Sequence, residues 1–355
     1  MRDLCFGDLD FDRVSFTAYS SRGTPFTRWI CSGMPRISED ILDSTFFLYR
    51  SADTANASAN SGGTGFILSF PSERVDDVTY FYGVTNWHLA VRDGCSVIRL
   101  NTSDGATDVM DFGPEDWIFD EDGEDLAVIQ LSPDFVKHVS KPIPVNLIYQ
   151  KEILHDPEQL NVGLGDDVFM VGRFVEMDYG PTNSPTARFG NISAALVPVN
   201  QKGPTAGKRL GYCLDMHSRS GYSGAPVFVY RTPGTNLVHT FEHGVPDLKR
   251  SMFCLLGIHR GQFEEDLKIS GDLKQTARGA SGMTVVIPSW RIRELLNDKK
   301  LQQERARSDA IWLARDRRGG MRQGPVDESA SPDEGNPTHA EDFKSLLDSA
   351  VTAKS

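Results

Sequence analysis

The chain has 355 residues, 37 Lys+Arg against 49 Asp+Glu, a formal net charge of −12 and 39% hydrophobic residues. That acidic balance argues against a protein that coats nucleic acid, since neutralising phosphates takes clustered Lys and Arg. No apolar run reaches bilayer length, and five scattered cysteines (Cys5, Cys31, Cys95, Cys213, Cys254) with no Cys-x-x-Cys pair indicate neither a disulfide framework nor a zinc site.

Residues 1–43, acidic and polar over the first sixteen, are weakly periodic and are read as an N-terminal extension. They lack the basic start and apolar centre of a secretory leader, so a cytoplasmic location with reduced thiols is expected, and no membrane partner. From residue 44 the texture changes to short apolar runs between turn residues, at 46–49, 65–70, 78–84, 95–100 and 126–131. A second series lies at 167–171, 188–195, 225–230, 252–258 and 283–287. Short β-rich runs punctuated by Gly, Asn, Asp and Pro predict an all-β chain of two barrels or sandwiches. The halves are placed at about 44–145 and 146–288, with the crossing near 141–150.

After Pro288 the period becomes helical. Ser289 is the expected N-cap, with Ile292, Leu295 and Leu296 on one face. The helix is expected to continue as a charged segment over 298–315. Residues 316–337 have almost nothing to bury and read as a disordered linker. In 338–355, Phe343, Leu346, Leu347 and Ala350 form one apolar stripe behind a capping-box pair, Thr338 and Glu341. This tail is too short for a stable lone helix; it either frays or docks on its own domain or on a partner.

Three separated segments carry chemistry. Val84-Thr85-Asn86-Trp87-His88-Leu89 closes a strand, and Glu124-Asp125-Leu126-Ala127 leads an acid into a buried one. Ser220-Gly221-Tyr222-Ser223-Gly224-Ala225-Pro226 runs a glycine-flanked serine into a third. A serine hydroxyl is a weak nucleophile, so an imidazole must take its proton and return it to the leaving group. A buried carboxylate then holds the imidazole in one tautomer. Ser223 is thus read as nucleophile, His88 as general base and acid, and Asp125 as the orienting carboxylate. The Gly221 and Ser223 amides are read as the oxyanion hole. This chemistry is acyl transfer, and it needs no cofactor and no metal.

In these segments the chain resembles the trypsin-like (chymotrypsin-fold) serine peptidases, particularly bacterial and intracellular ones. Gly63-Thr64-Gly65-Phe66 is similar to that family's strand before the histidine, Gly257-Ile258-His259-Arg260-Gly261 to its late substrate-lining strand, and Ile287-Pro288-Ser289 to the entry of its C-terminal helix. The resemblance covers 44–297 and implies two antiparallel six-stranded β-barrels, a cleft between them that takes a peptide or protein substrate, and a C-terminal helix; the ends outside it are read as flexible. It also implies a specificity pocket built from His217, Ser218, Arg219 and Ser220 with His259, Arg260 and Gly261. Neither stretch offers an acid to select Lys or Arg. Gly-Ile-His resembles the glutamyl endopeptidases, which leaves an anionic substrate side chain and a small or apolar one both open.

Leu89 stands where secreted members place a disulfide cysteine, and Ala225 replaces a common second glycine. Tyr222 stands where zymogen-activated members carry the acid that pairs with a newly cut N-terminus, so activation by N-terminal trimming is not expected. Three other motifs are set aside. Gly221-x-Ser223-x-Ala225 lacks the last glycine of a hydrolase elbow and runs into strand, not helix. His239-Thr240-Phe241-Glu242-His243 fits a zinc-protease pattern but sits between Pro- and Gly-rich breaks. The acidic loop before Asp125 puts Ile118 and Ile129 where a calcium loop needs its first and last ligands. The competing functional class is an inactive scaffold of the same fold that binds peptide or protein partners.

Overall fold

The computed structural model describes residues 14–19, 25–30, 37–59, 62–121, 123–132, 142–148, 162–177, 180–202, 204–231, 252–268 and 276–319. The His239–His243 motif, most of the 316–337 linker, the 338–355 tail and Cys5 and Cys31 lie outside them. The segment read as a weakly periodic extension carries an antiparallel hairpin, β1 (Val14–Tyr19) with β2 (Pro25–Ile30).

The rest of the sheet structure forms two β-systems. After a short helix α1 (Glu39–Asp43), the first contains β3 (Thr45–Tyr49) and, beyond α2 (Ala52–Asn56), β4 (Gly63–Pro71) and β5 (Thr79–Thr85). Then come β6 (Val97–Asn101), β7 (Thr107–Met110), β8 (Ala127–Leu131) and a two-residue β9 (Ile143–Pro144) beside β4. Their order is β7-β6-β3-β4-β5-β8. The second comprises β10 (Asp167–Gly172), β11 (Thr186–Lys202), β12 (Ala206–Asp215), β13 (Pro226–Arg231), β14 (Met252–Lys268) and β15 (Thr276–Pro288). It closes into a six-stranded barrel, β10-β11-β12-β15-β14-β13. The architecture is all-β and chymotrypsin-like.

The first system differs from a full barrel in that its ladder stays open between β7 and β8. Past Met110 the chain meets Pro114, which has no amide to donate, and forms a 3₁₀ turn (Pro114–Asp116). It reaches β8 through a single bridge, with Ile118 N–H to Val128 O at 2.7 Å and Val128 N–H to Ile118 O at 2.8 Å.

A shared core joins the two systems: Phe66, Leu68 and Val84 pack with Phe228, Leu255 and Ile258, and Ile292 and Leu296 close it from the C-terminal side. Each such side chain stabilises by about 1.5–3 kcal/mol when removed from water. Packing at β4 is tight enough to require glycine: a Cβ on Gly65 would lie 2.2 Å from the Phe46 ring.

The expected single helix is two. The first, α3 (Trp290–Leu296), ends at Asn297, and α4 (Lys299–Gly319) begins where the Asp298 carboxylate accepts the Lys300 amide at 2.8 Å. Asp298 restarts the helix as an N-cap would. Ser289 holds the N-cap position of α3, but it is wholly buried and its side chain makes no capping bond. Arg305 turns inward instead of staying on a solvated face. Its guanidinium donates to Tyr82 Oη at 3.0 Å and Leu296 O at 2.8 Å and lies 4.5 Å over the Phe70 ring. Arg307 onward forms a separate unit.

Candidate active site

β5 and β8 lie side by side with Thr85 opposite Ala127, so the residues just after the first strand meet those just before the second. Three residues past Thr85, His88 opens a π-helical turn (His88–Arg92). Two residues before Ala127 sits Asp125, 1% exposed. The Asp125 carboxylate takes the His88 amide on Oδ1 at 2.8 Å and the ring Nδ1 on Oδ2 at 2.6 Å, and its own carbonyl accepts Asn86 Nδ2 at 3.0 Å. A carboxylate accepts only, so Nδ1 carries the proton and the lone pair lies on Nε2. The His88 side chain is 16% exposed while its partner is sealed. Such an imidazole is fixed in orientation and open on one edge.

Ser223 sits in the tight loop between β12 and β13. Gly221 and Gly224 flank it with φ of +101° and +84°. Both need glycine on steric grounds too, since a Cβ would lie 2.6 Å from Arg173 O at the first and 2.0 Å from Thr64 O at the second. The Ser223 carbonyl accepts the Thr64 amide at 2.9 Å, and the Gly224 amide donates to His259 O at 3.0 Å. Thr85 Oγ1 donates to Thr64 O at 2.7 Å. The strand that ends at Thr85, three residues before His88, and the loop carrying Ser223 are therefore tied to one residue, Thr64. Among the described residues the Ser223 hydroxyl makes no hydrogen bond to His88; contacts of this kind are commonly long before substrate arrives and tighten around it. The Gly221 and Ser223 amides donate to no group among the described residues.

The residues expected to line a specificity pocket divide. His217, Arg219 and Ser220 are exposed. Ser218 is buried, and the Gln262 side-chain amide donates to its hydroxyl at 3.1 Å and also to its carbonyl. His259 is 1% exposed, its Nδ1 2.9 Å from Tyr222 O, and burial pushes its pKa down to about 4. It is a neutral, enclosed imidazole and offers no positive charge to an anionic side chain. Arg260 is half-buried and donates to Asn200 O on β11. Gly261 O accepts Thr284 Oγ1 at 2.9 Å. Thr64, Asn86 and Gln262 escaped the sequence reading; a buried polar residue inside an apolar strand, as Thr64 is, was the one available signal. A cavity of about 570 Å³ opens beside 124–126, lined in part by Trp117, Glu124, Arg209, Arg291 and Glu294. None of His88, Asp125 or Ser223 lines it, and Arg291 pairs with Glu124 at 3.2 Å and Glu294 at 2.6 Å.

No family model matches the sequence, and no curated protein sequence matches it significantly. Solved structures similar to it include Deg5, at 14% identity and a TM-score of 0.38 over 72% of this chain and 88% of that one. The inactive form of the Rv3671c protease is similar at 16% identity and a TM-score of 0.37 over 72% and 88%. The HtrA-type protease AlgW with a decapeptide is similar at 14% identity and a TM-score of 0.35 over 67% and 51%. At these values no residue role and no activity carries across from them. The strand order and the closed second barrel are this chain's own, and its fold is the trypsin-like one.

Proposed function

We propose that the chain is a serine endopeptidase that cleaves peptide bonds through an acyl-enzyme. The observation that supports this most is the sealed Asp125 carboxylate gripping both the amide and the Nδ1 of His88, in the turn after a strand tied through Thr64 to the Ser223 loop. Ser223 Oγ attacks the scissile carbonyl while His88 Nε2 takes its proton, and Asp125 stabilises the imidazolium. The carbonyl oxygen, now negative, is received by the Gly221 and Ser223 amides. The intermediate collapses as Nε2 returns its proton to the leaving amine; water then repeats the sequence on the acyl-serine. No cation or cofactor enters any step. No acid lines the pocket stretches to select Lys or Arg, and the enclosed, neutral His259 offers no charge to an anionic side chain, so the reading favours a small or apolar side chain before the scissile bond.

Hydrolysis of a peptide library by the purified protein tests this. Ser223→Ala is expected to lower turnover by about 10⁴-fold or more, His88→Ala by a similar factor, and the double variant hardly further, since the two act as a unit. Wild-type turnover in Ser223→Ala would refute the assignment. Peptide binding with no hydrolysis by the wild type would favour the scaffold reading.

A further inference from the structure

The loop that presents Ser223 is held by side chains from both β-systems, and their contacts fall on its carbonyl groups. In a trans peptide the C=O and the following N–H point in opposite directions, so fixing a carbonyl fixes the next amide. Ser220 O, whose peptide carries the Gly221 N–H, accepts the Val175 amide at 3.3 Å. Gly221 O accepts the Thr64 hydroxyl at 2.7 Å, and that hydroxyl accepts the Arg173 amide at 2.8 Å. Tyr222 O, whose peptide carries the Ser223 N–H, faces His259 Nδ1 at 2.9 Å and accepts the Ala225 amide at 2.9 Å. A carbonyl can only accept, so Nδ1 is the protonated nitrogen of His259. Its Nε2 is buried with no hydrogen-bond partner. Thr64 and His259 are themselves enclosed, at 0% and 1% exposure, so neither reaches substrate in this arrangement. The Tyr222 ring, also fully buried, ends in a hydroxyl contact with Thr186 Oγ1 on β11.

We propose that Thr64 and His259 are positioning residues for the oxyanion hole: His259 locks the Tyr222 carbonyl, whose peptide carries the Ser223 amide, and Thr64 locks the Gly221 carbonyl of the peptide between the two donors, so that the Gly221 and Ser223 amides stay aimed at one point. This rests on the acyl-transfer reading of Ser223. His259 thereby acts on the rate for every substrate alike and does not select the side chain before the scissile bond. The two contacts come from sequence positions 157 and 37 residues distant from their targets, so the hole forms only when both β-systems have folded against each other.

The experiment compares His259→Leu and Thr64→Val with His259→Asn and Thr64→Ser, the second pair keeping a donor at each place. The readouts are kcat, KM and the library cleavage profile, with thermal unfolding run on each variant. Loss of a single oxyanion donor costs about 10²–10³ in kcat, and misaiming one is expected to cost about 10- to 100-fold. His259→Leu and Thr64→Val should show that loss with KM within about threefold and an unchanged profile, while Thr64→Ser recovers most of it and His259→Asn part. A folded His259→Leu with full kcat, or with a shifted cleavage profile, would overturn the role of His259. Should either apolar variant unfold, its donor-keeping counterpart decides: a folded Thr64→Ser no better than one-hundredth of wild type, or a folded His259→Asn with an altered profile, contradicts the proposal. Wild-type hydrolysis abolished by Ser223→Ala is the control. Its failure removes the acyl-transfer reading, whereas a positive control with unaffected variants removes only this one.

Discussion

The His259 imidazole is enclosed between the Ser223 loop and β15, and burial above all, with like charge from His88 and Arg260, holds its pKa at about 4 against 6.5 in the open chain. Between those values the unfolded chain binds more protons than the folded one, so stability rises with pH across that window. The contribution is complete above pH 6.5, declines as pH falls, and is gone below pH 4. For a fully buried group the shift amounts to roughly 3 kcal/mol, of which about 2 kcal/mol is lost between pH 7 and pH 5. Urea unfolding at both pH values should show His259→Asn losing about 2 kcal/mol less than the wild type over that interval. Equal losses would mean that the imidazole is not held neutral. At this scale the sequence showed much of the candidate site and little of its support. That His88 and Asp125 approach each other was readable from an acid abutting an apolar strand. The work of Thr64 was not, because its partner Gly221 is 157 residues away and nothing local marks the contact. His259 was read as a pocket residue because its neighbours in sequence are; its enclosure depends on β13 and β15.

The turn from Gly221 to Gly224 joins the two β-systems physically, and its glycines are where a small change should do most harm. Gly224 holds φ +84°, and an added Cβ would strike Thr64 O at 2.0 Å and Thr85 Oγ1 at 2.3 Å, both of them groups that tie β4 to β5. Gly224→Ala is therefore expected to destabilise by about 2 kcal/mol or more, from strain and from separation of the loop from β4. Chemical unfolding measures this, and a loss below about 0.5 kcal/mol would contradict the described packing. Strand positions were legible where apolar runs were bounded by turn residues, as at Thr79–Thr85 and Ala127–Leu131. Strand lengths were not: β14 and β15 pair out to Lys268 and Thr276, where polar residues extend the ribbon beyond the barrel and leave no apolar signal. The break between α3 and α4 was missed for a related reason. Asn297-Asp298 continues the polar face of a helix as well as it caps one, and only the Asp298-to-Lys300 contact separates the cases.

Across the two β-systems, one core is shared, and the Ser223 loop is fastened to both. Tyr222 occupies the position before the serine, fully buried and in contact with Thr186, so the loop is anchored from within the second barrel. We therefore expect the Ser223 loop to need no newly cut N-terminus to react. The measurement that tests the central claim most directly is intact-mass analysis of the 355-residue chain after incubation with a fluorophosphonate. The wild type is predicted to gain one phosphonyl group, mapped to Ser223. Ser223→Ala should gain none, and His88→Ala should react at least about 10²-fold more slowly, since the hydroxyl then lacks its base. An unmodified wild type, or a label on any other residue that persists in Ser223→Ala, would contradict the account.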